Sequence, residues 1–115
     1  MGSLGDISMA TKQSTVDFLT EQMQSAGNIR SRKMFGEYAI YCDEKVVALV
    51  CDDQLFIKPT EAGKQFLDET HKAPPYPSAK MYLRVPESKW DEAEWLTDFV
   101  RQTTAELPLP KKKKR

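Results

Sequence analysis

Residues 38–58 restrict this chain more tightly than any other stretch. Tyr38-Ala-Ile-Tyr-Cys42, Val46-Val-Ala-Leu-Val-Cys51 and Gln54-Leu-Phe-Ile-Lys58 are three runs rich in β-branched and aromatic residues. Only Asp43-Glu44-Lys45 and Asp52-Asp53 separate them, and both spacers are turn material. Connections this short join antiparallel neighbours, so the segment reads as a meander. Ile29–Met34 supplies a further strand ahead of the break at Phe35-Gly36, and Pro59 stops the run.

A meander with one apolar face needs cover, and the flanking segments offer it. Val16, Leu19 and Met23 recur at helical spacing, with Phe18 beside them and Asp17, Glu21, Gln22 and Gln24 opposite. Ser14 or Thr15 is placed to cap this helix, and Gly27 to end it in a left-handed conformation. Beyond the meander, Thr60 is expected to cap a short helix from Glu61 to about Glu69, burying Ala62, Phe66 and Leu67. Pro74, Pro75 and Pro77 make residues 71–78 an extended loop. Met81, Leu83 and Val85 alternate with Lys80, Tyr82 and Arg84, the pattern of a half-buried strand ended by Pro86. The longest helix is expected over Glu87–Leu107, with Trp95, Leu96, Phe99, Val100 and Leu107 on one stripe. The predicted fold is therefore α+β, a two-layer sandwich with an antiparallel sheet of about five strands and helices at both ends.

The boundaries follow from composition. Residues 1–11 are expected to be a disordered N-terminal segment, 12–107 the domain, and 108–115 a disordered Pro/Lys tail. Overall charge balances at 17 basic and 17 acidic side chains, but Lys111, Lys112, Lys113, Lys114 and Arg115 hold five of the cations. Without them, 12 basic side chains face 17 acidic ones, so the body is acidic. Such a body does not grip nucleic acid across a broad face, and the tail alone would attract polyanions weakly and without sequence preference. No run is long and apolar enough for a membrane span. Cys42 and Cys51 lie within apolar runs rather than loops, which predicts free buried thiols, a reducing compartment and a cytoplasmic protein.

Candidates for chemistry are few. The pairs Asp43-Glu44, Asp52-Asp53 and Asp68-Glu69 fall at turns or helix ends, where carboxylates shape turns. His71 stands beside a proline-rich loop with no cysteine at metal-ligand spacing. No glycine-rich phosphate loop or nucleophile elbow is present. We therefore expect no catalytic residue, no metal site and no cofactor. The interaction candidates are Arg30, Arg32 and Lys33, the tail Lys111–Arg115, and Tyr82. With Met81, Leu83 and Val85 facing the core, Tyr82 points the other way, beside Tyr41 or Phe56. A sheet that is apolar on both sides requires cover from the second helix and the proline-rich loop, or else from a partner.

The stretch Arg32-Lys-Met-Phe-Gly-Glu-Tyr38-Ala-Ile-Tyr41 resembles the N-terminal domain of the TfoX (Sxy) family of bacterial competence regulators. The likeness continues through Ala48–Asp53, Leu55–Lys58, Pro75-Tyr76-Pro77, Met81-Tyr82, Val85-Pro86 and the tryptophan-bearing last helix, covering residues 12 to 115. It implies a fold like that of type III secretion chaperones, with no known catalytic residues. Full-length regulators of this kind promote competence-gene transcription together with the cyclic-AMP receptor protein. Their C-terminal domain has no counterpart here, so the resemblance is to a stand-alone, single-domain member. Gly36 would then permit a bend, while Met34, Phe35, Tyr38 and Tyr41 pack the sheet. The resulting expectation is a non-enzymatic regulatory or protein-interaction module whose partner is a protein, with transcription machinery as one candidate. The alternatives are a homodimeric, peptide-binding chaperone-like module and, last, a small enzyme.

Overall fold

The computed structural model describes residues 11–34 and 36–108. Expectations that fall on residues 1–10, on Phe35 and on the tail Lys111–Arg115 lie outside the described residues. The chain runs through α1 (Gln13–Gln22), β1 (Ile29–Met34), β2 (Glu37–Cys42), β3 (Lys45–Cys51), β4 (Gln54–Ile57), β5 (Lys72–Ala73), β6 (Tyr82–Val85) and α2 (Ala93–Glu106). The strands form one open antiparallel sheet in the order β1-β2-β3-β4-β6-β5. Both helices pack on one face of it. This is the two-layer α+β arrangement expected, with six strands rather than five.

The acidic spacers make the turns tight. Asp43 and Glu44 have φ of 52° and 71°, and Asp52 and Asp53 have φ of 55° and 57°. Paired left-handed residues match the twist of the flanking strands, which is why two-residue hairpins favour them. Gly36, with φ 83°, turns β1 into β2. The β2–β3 register shifts between Ile40 and Tyr41, leaving Val47 as an extra residue. This bulge sends Val47 and Ala48, adjacent in sequence, both into the core.

The core lies between the helices and one face of the sheet. Val16, Leu19 and Met23 of the first helical segment meet Ile40, Val50, Leu55 and Ile57 of the sheet and Leu96, Phe99 and Val100 of α2. Each such side chain, fully buried, contributes about 1.5–3 kcal/mol. Polar contacts lock the layers together. Thr97 Oγ1 donates to Gln22 O (3.1 Å), and Tyr38 OH donates to Gln13 Oε1 (2.7 Å). Lys45 Nζ donates to Thr104 O at 3.0 Å, where a cation suits the carboxyl end of α2.

Several local expectations change. α1 has no side-chain cap from Ser14 or Thr15. Its start is held instead by Asp53, whose Oδ1 accepts from Lys12 N and Thr15 Oγ1, both at 2.9 Å. Gly27 is extended (φ 161°) rather than left-handed. Glycine is needed there because a Cβ would lie 2.9 Å from Asp43 Oδ1 and from Cys42 Sγ. The expected helix from Glu61 is only two 3₁₀ turns, Ala62–Gln65 and Glu69–His71. Thr60 does cap the first, accepting from Gly63 N at 3.0 Å. Tertiary contacts pin that turn: Glu106 accepts from Glu61 N and Ala62 N, and a Cβ on Gly63 would come within 3.2 Å of Phe99. Phe66 stacks on Phe99 at 4.9 Å, so this segment covers the helical side, not the second face. The last helix is likewise shorter, a 3₁₀ turn at Glu87–Lys89 preceding α2. Met81 is exposed instead of core-facing, while Leu83 and Val85 are buried as expected. Finally, Lys72–Ala73 in the proline-rich segment forms a short strand on β6.

Candidate interaction surface

Strand alternation decides what the second face of the sheet carries. Residues paired across strands share a face, and the register places Arg32, Ala39, Leu49, Phe56 and Arg84 in one row across five strands. The adjoining row holds Arg30, Tyr41 and Val46. Two rows thus combine an apolar centre with arginines at both ends.

The proline-rich loop covers half of this face. Pro74–Pro77, with Cys51, Phe56 and Arg84, borders a shallow depression of about 420 Å³. Beneath it Phe56 and Cys51 are buried, and Tyr82 is half-buried. Among the described residues the other half has no such cover. Arg30 and Arg32 are exposed, and Tyr41, Val46 and Leu49 are half-buried. A second depression there, about 290 Å³, is bounded by Tyr41, Val46, Lys58 and the end of the helical layer at Leu107-Pro108.

The helical side presents exposed Asp17, Glu21, Glu94 and Asp98, with Arg101 paired to Asp98 at 2.7 Å, while the uncovered half of the sheet presents Arg30 and Arg32 and the loop-covered half Arg84. Arg30 lies over the Tyr41 ring at 4.3 Å and donates to Glu44 Oε1 at 3.0 Å. That hydrogen bond, against desolvation, raises the guanidinium pKa.

The structure redistributes the residues singled out from the sequence. Arg30 and Arg32 come together on the uncovered face, but Lys33, paired with Tyr38, projects from the opposite side of the same edge strand. Tyr82 is on the uncovered-face side of β6, two strands beyond β3, next to the proline-rich loop. Tyr41 and Phe56 share that face with Tyr82, as alternation predicted. Arg84, Leu49 and Lys58 complete the surface and were not singled out. The alternation of Lys80, Tyr82 and Arg84 gave their side of the strand but not which strand they would meet.

The other candidates serve the fold. Asp43 accepts from Asn28 N (2.9 Å), and Asp53 anchors α1. Asp68 accepts from the Thr70 hydroxyl and amide, which hold its carboxyl below the usual range, with His71 Nδ1 at 3.4 Å adding to this. Cys42 and Cys51 are free and buried. Burial, with the charges of Glu37 and Asp52, pushes the Cys51 thiol up to about 11. Burial raises Cys42 as well, against a hydrogen bond with Thr104. Thiols so shifted are protonated and poorly nucleophilic at neutral pH. Among the described residues, no three His, Cys, Asp or Glu side chains gather as a metal-ligand set. Among them too, no helix is long and apolar enough to cross a membrane.

A protein of Spirochaeta aurantia, described as an uncharacterized 12.7 kDa protein in the trpE 5′ region, is 42% identical over 106 residues, covering 92% of this chain and 91% of that one. The family model of the TfoX N-terminal domain matches residues 21–107, which takes in every strand and both faces of the sheet. The chain belongs to the TfoX N-terminal domain family.

Proposed function

We propose that this chain is a non-enzymatic interaction module that acts by protein contacts through the uncovered half of its second sheet face. One observation carries the reading. Arg30, Arg32, Tyr41 and Leu49 form a continuous patch on β1–β3, mixing exposed cations with half-buried apolar surface, beside a half already covered by the chain's own loop. An apolar centre with an arginine-bearing rim suits a protein partner, since aromatic and arginine side chains anchor interfaces. Family membership supports a regulatory task for that contact, with a component of the transcription apparatus as the partner sought first.

A photo-crosslinking amino acid placed in turn at positions 32, 49 and 98 of the full chain tests this in cells. The expected result is a discrete adduct at 32 and 49, none at 98, and loss of the position-49 adduct in an Arg32→Glu background. Adducts indifferent to position, or none, would overturn the surface assignment. Discrete adducts that contain no transcription component would remove the regulatory part alone.

A further inference from the structure

β1 is an edge strand of six residues, and the backbone phase of its outer side can be read from its partner. Asp43 N donates to Asn28 O at 2.9 Å, so residues 28 and 43 are a hydrogen-bonded pair. Bonded pairs recur at every second residue, which assigns Arg30, Arg32 and Met34 to β2. The N–H and C=O groups of Ile29, Ser31 and Lys33 therefore point outward, away from the sheet.

Side chains above that edge are uniform in sign. Arg30 and Arg32 stand on the uncovered face and Lys33 on the other, with exposed Met34 ending the row. Within the described residues Glu44 pairs with Arg30, and it does so at the far end of the strand. We infer that β1 accepts an additional strand from an acidic protein segment, whose backbone pairs with Ile29, Ser31 and Lys33 and whose alternate carboxylates meet Arg30 and Arg32. An apolar residue two positions further along would lie on Met34. This inference rests on the reading above and names the partner's chemistry and mode of docking.

Two other occupants fit less well. A second copy of the chain would pair β1 with β1 about a two-fold axis. In phase with the outward groups, the registers centred on Arg30, Ser31 and Arg32 each set an arginine opposite an arginine, which is unfavourable in an antiparallel pair. Single-stranded nucleic acid would find the cations, but base stacking needs open aromatic rings. Here Arg30 already lies over Tyr41, and Phe56 is buried.

The test uses the full chain and a capped peptide with glutamate at two alternate positions, leucine at the next alternate one and threonine between. A control peptide carries lysine for glutamate. Hydrogen exchange followed by NMR should show the amides of Ile29, Ser31 and Lys33 slowed by about tenfold with the acidic peptide, and those of Arg30 and Arg32 little changed. The lysine peptide should leave all five unaffected, and added salt should weaken binding. Arg32→Glu, at an exposed position, should lower affinity by about tenfold or more while the chain stays folded. Ser31→Pro removes one outward donor without touching a β1–β2 hydrogen bond and should abolish protection at Lys33; if it unfolds, Arg32→Glu decides alone. Binding without protection at the edge, protection by the lysine peptide, self-association that protects the same amides, or tighter binding of oligothymidylate would each overturn the inference. No edge protection together with discrete crosslinks from positions 32 and 49 would refute strand addition and leave the interaction surface standing.

Discussion

Replacing Asp52 and Asp53 separately by glycine isolates what the second tight turn contributes to the first helix. Their φ values, 55° and 57°, are nearly equal, so glycine relieves similar strain at each, about 1 kcal/mol. Glycine at 52 keeps the backbone N–H that donates to Glu37 Oε1 (3.0 Å). Glycine at 53 removes the carboxylate that accepts from both Lys12 N and Thr15 Oγ1. Hydrogen bonds to an ionised acceptor contribute about 1.5–3 kcal/mol each, and these, exposed or part-buried, belong at the lower end. Their joint loss is then about 2–3 kcal/mol. Asp52→Gly should stabilise the protein by about 1 kcal/mol and Asp53→Gly should destabilise it by about 1–2 kcal/mol. Urea unfolding followed by circular dichroism, with the m value unchanged, measures the gap. It should also appear as roughly 10 °C or more between the two melting temperatures. Two variants within about 0.5 kcal/mol of each other would show that α1 is not anchored by the turn.

Three further outcomes follow from buried or closely approached groups. Thr103 is fully buried with an unpartnered Oγ1, so Thr103→Val should stabilise by about 1 kcal/mol in the same urea assay. Gly27→Ala should destabilise by about 1–3 kcal/mol, since its methyl would meet Asp43 and Cys42 at 2.9 Å, and the amide of Asn28 should exchange faster. For Cys51, burial pushes the folded thiol up to about 11 from an ordinary value near 9.0, so between those values the unfolded chain gives up its proton first. Stability is complete below pH 9 and falls as pH rises toward 11, and Cys51→Ala should flatten that decline in a pH series of melting temperatures.

The meander, both tight turns and the free cysteines could be read from residues 38–58, because each depends on contacts between near neighbours. The side taken by Tyr82, shared with Tyr41 and Phe56, also followed from alternation, whereas Arg30, Arg32 and Lys33, read as one cluster, divide between the two faces. What stayed hidden was set by distant pairings. Asp53 gave no sign that it would hold a helix some forty positions earlier, and Ser14 and Thr15 carried the usual capping signature. Met81 fits its alternating pattern, yet its place opposite β4 would fall at Pro59, beyond the strand's end, and it stays exposed. Arg84 entered the surface only through the register with Phe56, which no local pattern encodes. The expected helix breaks between Gln65 and Glu69, where Phe66 stacks on Phe99 of α2, a contact no local pattern encodes.

The strand order β4-β6 has a kinetic side. β1 to β4 join neighbour to neighbour through tight turns, so they can assemble as successive hairpins with little loop entropy to overcome. β6 must return across the whole stretch from Pro59 to Met81 before it can pair, and β5 can pair only once β6 is in place. The sheet should therefore grow quickly from its β2–β3 hairpin to β1 and β4, and late beyond β4. The proline-rich loop, held over the second face by the last strands to arrive, would then be the first part to lift away when the fold loosens.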